Sequence, residues 1–301
     1  MVHVVGGCAA LVGATIVGPR KNRFMSNGRV VIFSSTSVVL SCLGGAMLAF
    51  TWISFNGSSV MNTKNQSLEI AAHAIVNTML CLSAAGFSST ALYVFLNRTH
   101  DLPQAINSML GGLVAVTASC AFIDNWSAVL LGVVSGFVTR NSSSLLVRLR
   151  IDDPLDATSV HFSNGCLGTL WLGLLGRKDL LVLAGHKTDG GLLMGGGFDL
   201  FGSQLLGIIF CTAFTSAAIT TACVLYYFSS LWWEKLTGGT SDVIAEDNDQ
   251  DQNQDGADVD EERGGEGGAI FESESNNSTT ATSVTNVAHL GLRDRIKLAL
   301  R

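Results

Sequence analysis

The chain has 301 residues, 48% of them hydrophobic and 14% charged, with a mean hydropathy of +0.39. Residues 1–230 are a succession of long apolar runs and 231–301 are polar, which excludes an ordinary soluble domain and indicates a polytopic membrane protein with a soluble tail. The net charge of −6 comes from that tail, so it carries no sign of a nucleic-acid partner. The seven cysteines all lie in apolar runs, with no CxxC pair and no secreted-type framework, and read as small buried hydrophobes. No metal-ligand cluster, cofactor motif or signal peptide is evident, and neither a cofactor nor an enzyme activity is expected.

Seven apolar segments follow one another, at 1–18, 30–54, 69–96, 104–123, 126–145, 155–176 and 200–229. Each is long enough, or nearly so, to cross the ~30 Å hydrocarbon layer as a helix. The expected fold is therefore all-α, a bundle of seven transmembrane helices. Basic residues set its orientation. Arg20, Lys21, Arg23, Arg29, Arg98, Arg140, Arg148, Arg150 and Lys235 fall on one side; Lys64, Arg177, Lys178 and Lys187 fall on the other. The 19–29 loop and the tail are then cytoplasmic, and the chain starts outside.

The first segment carries His3, followed by Gly7, Cys8 and Gly18. The same spacing recurs in the sixth as His161, Gly165, Cys166 and Gly176. Five spans apart, the two helices run in opposite directions, as an inverted repeat requires. An ionisable group in hydrocarbon needs a partner. His3 and His161 are therefore expected side by side at mid-membrane, with ring nitrogens within hydrogen-bonding reach. In 151–176, Asp153 is placed to cap a helix, with Pro154 at its first position and Asp156 in its first turn. Gly165, Thr169 and Gly173 then repeat every fourth residue, a face for close helix approach.

In the second segment, TWISFNGSS at 51–59 should end the span at the outer face, with Trp52 and Phe55 near the headgroups. Two readings stay open: an aromatic belt, or a ring at a pore mouth that holds a cation on its π-face. Asn77, Thr78, Thr117 and Ser119 are read as groups that join helices. His73 is read as facing water, and His100, His186 and His289 as solvated. Residues 242–274 hold thirteen acids and one base, Arg263, and should be disordered. Residues 289–301 are patterned as a short basic amphipathic helix. The domains expected are 1–230 in the membrane and 231–301 as cytoplasmic tail.

Taken together, HVVGGCAALVGATIVGPRKNRF, FTWISFNGSS, AAHAIVNT, GGLVAVTASCAFI, DDPLDATSVHFSNGCLGTLWLGLL and SQLLGII resemble the ammonium transporter (Amt) family, in unbroken order over roughly residues 1–228. The stretches correspond to the family's fifth to eleventh spans, so an N-terminally truncated version of an eleven-span, inverted-repeat fold is expected, with the first four spans and the gating groups they carry absent. The resemblance implies that His3 and His161 are the paired pore histidines. It implies that Phe55 belongs to the outer gate, and that Ser59 and Trp52 belong to the outer ammonium recruitment motif. Asp153 and Asp156 match acids that read as structural. It further implies transport of ammonium or methylammonium through a hydrophobic pore, with the ion deprotonated on passage, in a homotrimer in the plasma membrane. Two other functions stay open: an ammonium sensor signalling through the tail, and a non-conducting fragment.

Overall fold

The computed structural model describes residues 1–33, 37–60, 68–98 and 101–237. Lys64, His100, His289, the acidic stretch 242–274 and the helix expected at 289–301 lie outside the described residues. The elements are α1 (Val2–Val17), α2 (Val38–Val60), α3 (Leu68–Asn97), α4 (Leu102–Thr117), α5 (Asn125–Arg148), a π-helical turn (Thr158–Ser163) leading into α6 (Asn164–Leu175), a short α7 (Lys178–Leu183) and α8 (Asp199–Thr237). Among the described residues the β pairing is confined to one isolated bridge, Phe24 with Val30. The all-α class holds.

Four helices are long and apolar enough to cross a membrane alone: α2, α3, α5 and α8. The other three expected spans are shorter, two of them for a visible reason. Helix α4 stops at Thr117 and the chain turns through 118–123. The sixth segment starts late because Asp153 and Asp156 close a turn, with the Asp156 amide donating to the Asp153 carbonyl at 3.2 Å. Pro154 sits inside that turn instead of at the first helical position, since its fixed φ suits a turn's second residue. The second span is displaced, to 38–60 instead of 30–54. Val31 N donates to the Arg23 carbonyl and Met25 N to the Arg29 carbonyl, so the apolar run Val30–Phe33 is drawn into a short hairpin. Residues 51–59 are helical throughout and form the last turns of α2.

Residues Met1–Thr220 form one compact unit. Its core gathers on α3, where Ile70, Ala74 and Cys81 pack with Ala115, Val116, Ile123 and Leu131. Small residues let backbones meet there: a Cβ on Gly168 would stand 1.8 Å from the Ala115 carbonyl oxygen, and one on Gly132 2.4 Å from that of Cys81. Outward, α2 presents Val39, Leu40, Met47 and Phe50, and α8 presents Leu206, Phe210 and Phe214, all exposed. Such helix surfaces, with backbone bonds satisfied internally, suit a lipid solvent. The second unit begins at Thr221, and its described part is the end of α8, where the Tyr227 and Phe228 rings meet edge to face at 5.6 Å.

Ion pairs stand at the two ends of the bundle. At one, Asp152 is buried and accepts three hydrogen bonds from Arg20: backbone N at 3.0 Å, Nε at 2.7 Å and Nη2 at 2.8 Å. Arg23 Nε lies 3.3 Å from the same carboxylate. Arg20 holds the Asp152 carboxyl below the ordinary carboxylate range, and its own pKa is raised. At the other end, Arg177 bridges Asp124 and Asp179, and Lys178 pairs with Asp189. Hydrogen bonds from Arg177 likewise lower Asp179.

Candidate functional site

The site begins with a helix crossing. Gly7 of α1 lies against the backbone of Phe162, where a Cβ would come within 2.1 Å of the Phe162 amide nitrogen. Gly165 lies against Val4, 3.0 Å from its amide nitrogen by the same measure. Gly7 with Phe162 and Val4 with Gly165 pair in antiparallel order. The two glycines occupy equivalent places in the His-x3-Gly-Cys pattern, and so do Val4 and Phe162. Each copy of the pattern therefore packs on the other reciprocally, as about a local two-fold axis. The short spacing follows from the glycines, since any larger residue would hold the helices apart.

Beside this crossing the two histidines meet. Their ring centroids are 5.6 Å apart with planes 17° from parallel. The rings lie side by side, as the sequence reading expects. The rings are near parallel, and His3 Nε2 is buried without a hydrogen-bond partner. Trp52 stacks on the other face of His3, with centroids 5.1 Å apart and planes at 20°, so three rings form one column. Phe55 stands edge-on to both, 6.4 Å from His3 and 6.0 Å from Trp52. Trp52 is thus brought beside His3, with α2 running on to Val60. Its indole N–H donates to Thr117 Oγ1 at 2.9 Å, which fixes the ring's rotation. Ser59 is exposed one turn beyond Phe55, its hydroxyl donating back to the Phe55 carbonyl at 2.7 Å.

The helix under His161 is unusual. Six residues, Thr158–Ser163, take the wider π form, a local departure common at functional positions. Asp153 caps its start, accepting from the amides of Ala157 at 3.1 Å and Thr158 at 2.7 Å. Asp156 takes a left-handed backbone, φ +53°, and accepts from Ser143 Oγ at 2.8 Å and Asn107 Nδ2 at 3.3 Å, joining α4 and α5 to the turn. Both acids hold backbone or neutral side chains and neither contacts the ring column.

Other polar groups join helices as read from the sequence, Ser119 excepted. Asn56 Nδ2 donates to Thr78 Oγ1 at 3.0 Å, and Thr117 Oγ1 donates to the Leu113 carbonyl. Ser119 is buried with its hydroxyl unpartnered. His73 does not face water alone: its Nε2 is 2.7 Å from the Ile123 carbonyl oxygen. Asn77 Nδ2 donates to the carbonyls of Cys120 and Ile123 at 2.8 and 2.9 Å. Together they collect carbonyls freed where α4 unwinds, which must be satisfied in an apolar surround. Asn77 and Thr117 thus join helices as read, whereas Asp152 and Asn164 were not singled out in the sequence. Among the described residues no cluster of three metal-ligating side chains is present.

The profile of the Ammonium Transporter Family matches residues 1–237. The chain is 34% identical over 227 residues to ammonium transporter 1 member 2 of Oryza sativa subsp. japonica, covering 72% of this chain and 46% of that protein. It is 33% identical over 214 residues to ammonium transporter 3 of Dictyostelium discoideum, covering 69% and 49%. Among solved structures, the fold is similar to that of Saccharomyces cerevisiae Mep2, with a TM-score of 0.67, 29% identity, and coverage of 74% of this chain and 49% of that one. It is also similar to a sensor Amt protein, with a TM-score of 0.65, 27% identity, and coverage of 72% and 51%. The chain spans about half the length of the relatives it matches. With that match over most of its length and its apolar, multi-span helical bundle, the chain belongs to the Ammonium Transporter Family.

Proposed function

We propose that this chain forms the histidine-bearing part of an ammonium-conducting path, in which the ion is held outside, gives up its proton, and passes the His3–His161 pair as ammonia. The observation that supports this most is the column of Trp52, His3 and His161 with Phe55 edge-on beside it. An intact cation in hydrocarbon is costly, whereas neutral ammonia is not. Aromatic faces hold a cation in competition with water. Two adjacent imidazoles offer a nitrogen that accepts from, or donates to, a passing ammonia, and they titrate as a pair. The unpartnered Nε2 of His3 is such a vacant polar group. Phe55 acts as the outer gate, Ser59 and Trp52 serve ion recruitment, and Asp153 and Asp156 hold the His161 turn. The working assembly is a homotrimer in the plasma membrane, with the 19–29 loop and the tail cytoplasmic.

The chain spans half of its relatives, so the test supplies the other half. The sequence is fused behind the part of the rice relative that precedes the matched region, and methylammonium uptake is measured in cells lacking their own carriers. Uptake above the empty-vector control is expected, and Phe55→Ala should change its rate at least threefold. Uptake equal to the control in a fusion that reaches the membrane folded would overturn the proposal. A second reading, ammonium sensing, is favoured by the similarity to a sensor Amt protein. It predicts ammonium-dependent partner binding by the tail, with no uptake.

A further inference from the structure

We infer that Asn164, held by Ser135 and Thr139 of α5, is the positioning residue that sets the π turn and aims His161 at His3. Asn164 is the first residue of α6, fully buried, and every polar atom of its amide is used. Its Oδ1 accepts from Ser135 Oγ at 2.7 Å. Its Nδ2 donates to Thr139 Oγ1 at 2.8 Å and to the Ser159 carbonyl at 2.9 Å. Thr139 Oγ1 in turn donates to the Ser135 carbonyl at 2.9 Å, so the network closes on itself. A fully satisfied buried network of this kind specifies one arrangement, because any other leaves polar groups unpaired in a low dielectric.

The bond to Ser159 O matters most. It spans five residues, the separation of a π ladder, and it brackets His161 between its two ends. It clamps the wide turn from inside while the other two bonds tie that turn to α5. The neighbour on α4 leaves room for this: a Cβ on Gly111 would fall 2.3 Å from Thr139 Oγ1 and 2.8 Å from Asn164 Nδ2. If the turn relaxed to an ordinary α-helix, one residue fewer would fill it, and His161 would rotate by about 100°, one residue's share of a 3.6-residue turn. His161 would then leave the ring column, while Trp52 and His3, which sit on α2 and α1, would not.

The inference rests on reading the two histidines as the conducting pair, but its test reads ring geometry and not flux. The full chain is prepared in nanodiscs with labelled His and Trp rings in a deuterated background. Cross-relaxation is measured between His3 and His161 and between His3 and Trp52, with assignments from His3→Ala and His161→Ala. Asn164→Leu should weaken the His3–His161 cross-peak at least fivefold and leave His3–Trp52 within twofold of the unsubstituted chain. Ser135→Ala, which keeps the bond to Ser159 O, should leave both peaks. An undiminished His3–His161 peak in Asn164→Leu would overturn the inference. If Asn164→Leu loses both peaks by unfolding, Asn164→Ala, which removes the bond to Ser159 O without added bulk, decides. A selective loss of twofold or more at His3–His161 supports the positioning role, and unchanged peaks or an equal loss of both overturn it. An absence of flux with the predicted peak pattern would instead count against the conducting reading alone.

Discussion

Gly7→Ala is expected to be among the most damaging single-methyl changes in the chain, whereas Gly6→Ala and Gly13→Ala in the same helix should be neutral or slightly stabilising. The Gly7 methyl would lie 2.1 Å from the Phe162 amide nitrogen and 2.6 Å from its Cα, so α1 must move off the π turn. Backbone cannot give way as a side-chain tip can, and overpacking of this kind costs about 1–3 kcal/mol, with backbone clashes at the upper end. At Gly6 and Gly13 nothing lies within 4 Å, and alanine there gains about 0.5–1 kcal/mol of helix propensity. Unfolding in mixed micelles by denaturing detergent, followed by circular dichroism, gives the comparison. Three equal unfolding midpoints would mean that α1 does not cross the turn as described. Because the crossing also brings the rings together, Gly7→Ala should lengthen the His3–His161 distance as well.

Asp152→Asn should be the largest loss among the polar substitutions, and the loss should depend on pH. The buried carboxylate neutralises Arg20 and Arg23 and accepts three bonds from the first. Charge-assisted bonds of this type contribute about 1.5–3 kcal/mol, so a loss of roughly 2–3 kcal/mol is expected at pH 7. The folded carboxyl lies below its unfolded value of about 3.9, so its contribution is complete above that value. It falls away as pH drops below about 4 toward the folded pKa. The unsubstituted chain should therefore lose stability on acidification in that window, and Asp152→Asn should lose less. A constant difference between the two from pH 7 to pH 3 would contradict the assignment.

How legible these features were in the sequence differs residue by residue. The histidine pair was readable because the same spacing of His, Gly and Cys occurs on two helices of opposite direction, and small residues at that spacing dictate a close crossing. The stacking of Trp52 on His3 was not, since Trp52 was read at the end of a span over 30–54. The displaced span came from Val30–Phe33, four apolar residues that read as span until the Arg23 carbonyl takes up the Val31 amide in a hairpin. Apolar content gives no sign of where α4 unwinds, because 118–123 is as apolar as the helix before it. Only the carbonyls it exposes, taken up by Asn77 and His73, mark the break. The π turn was hidden for a related reason: it is set by the side chain of Asn164, a residue that reads as an ordinary polar group on a helix. Of the acids at 152–156, the capping role of Asp153 followed from its place before a helix, while the buried anchor Asp152 required knowledge of which loop returns to it.

The central claim is that ammonium nitrogen passes between His3 and His161, and the most direct measurement is selectivity in the fused chain. Methylammonium flux and potassium flux are compared in proteoliposomes for the unsubstituted protein, for His161→Ala, and for His3→Ala with His161→Ala. The account predicts methylammonium flux without potassium flux in the first, and at least a tenfold fall in the ratio of the two on removing both imidazoles, in protein whose unfolding midpoint is unchanged. A double variant that folds and keeps the original ratio would contradict it.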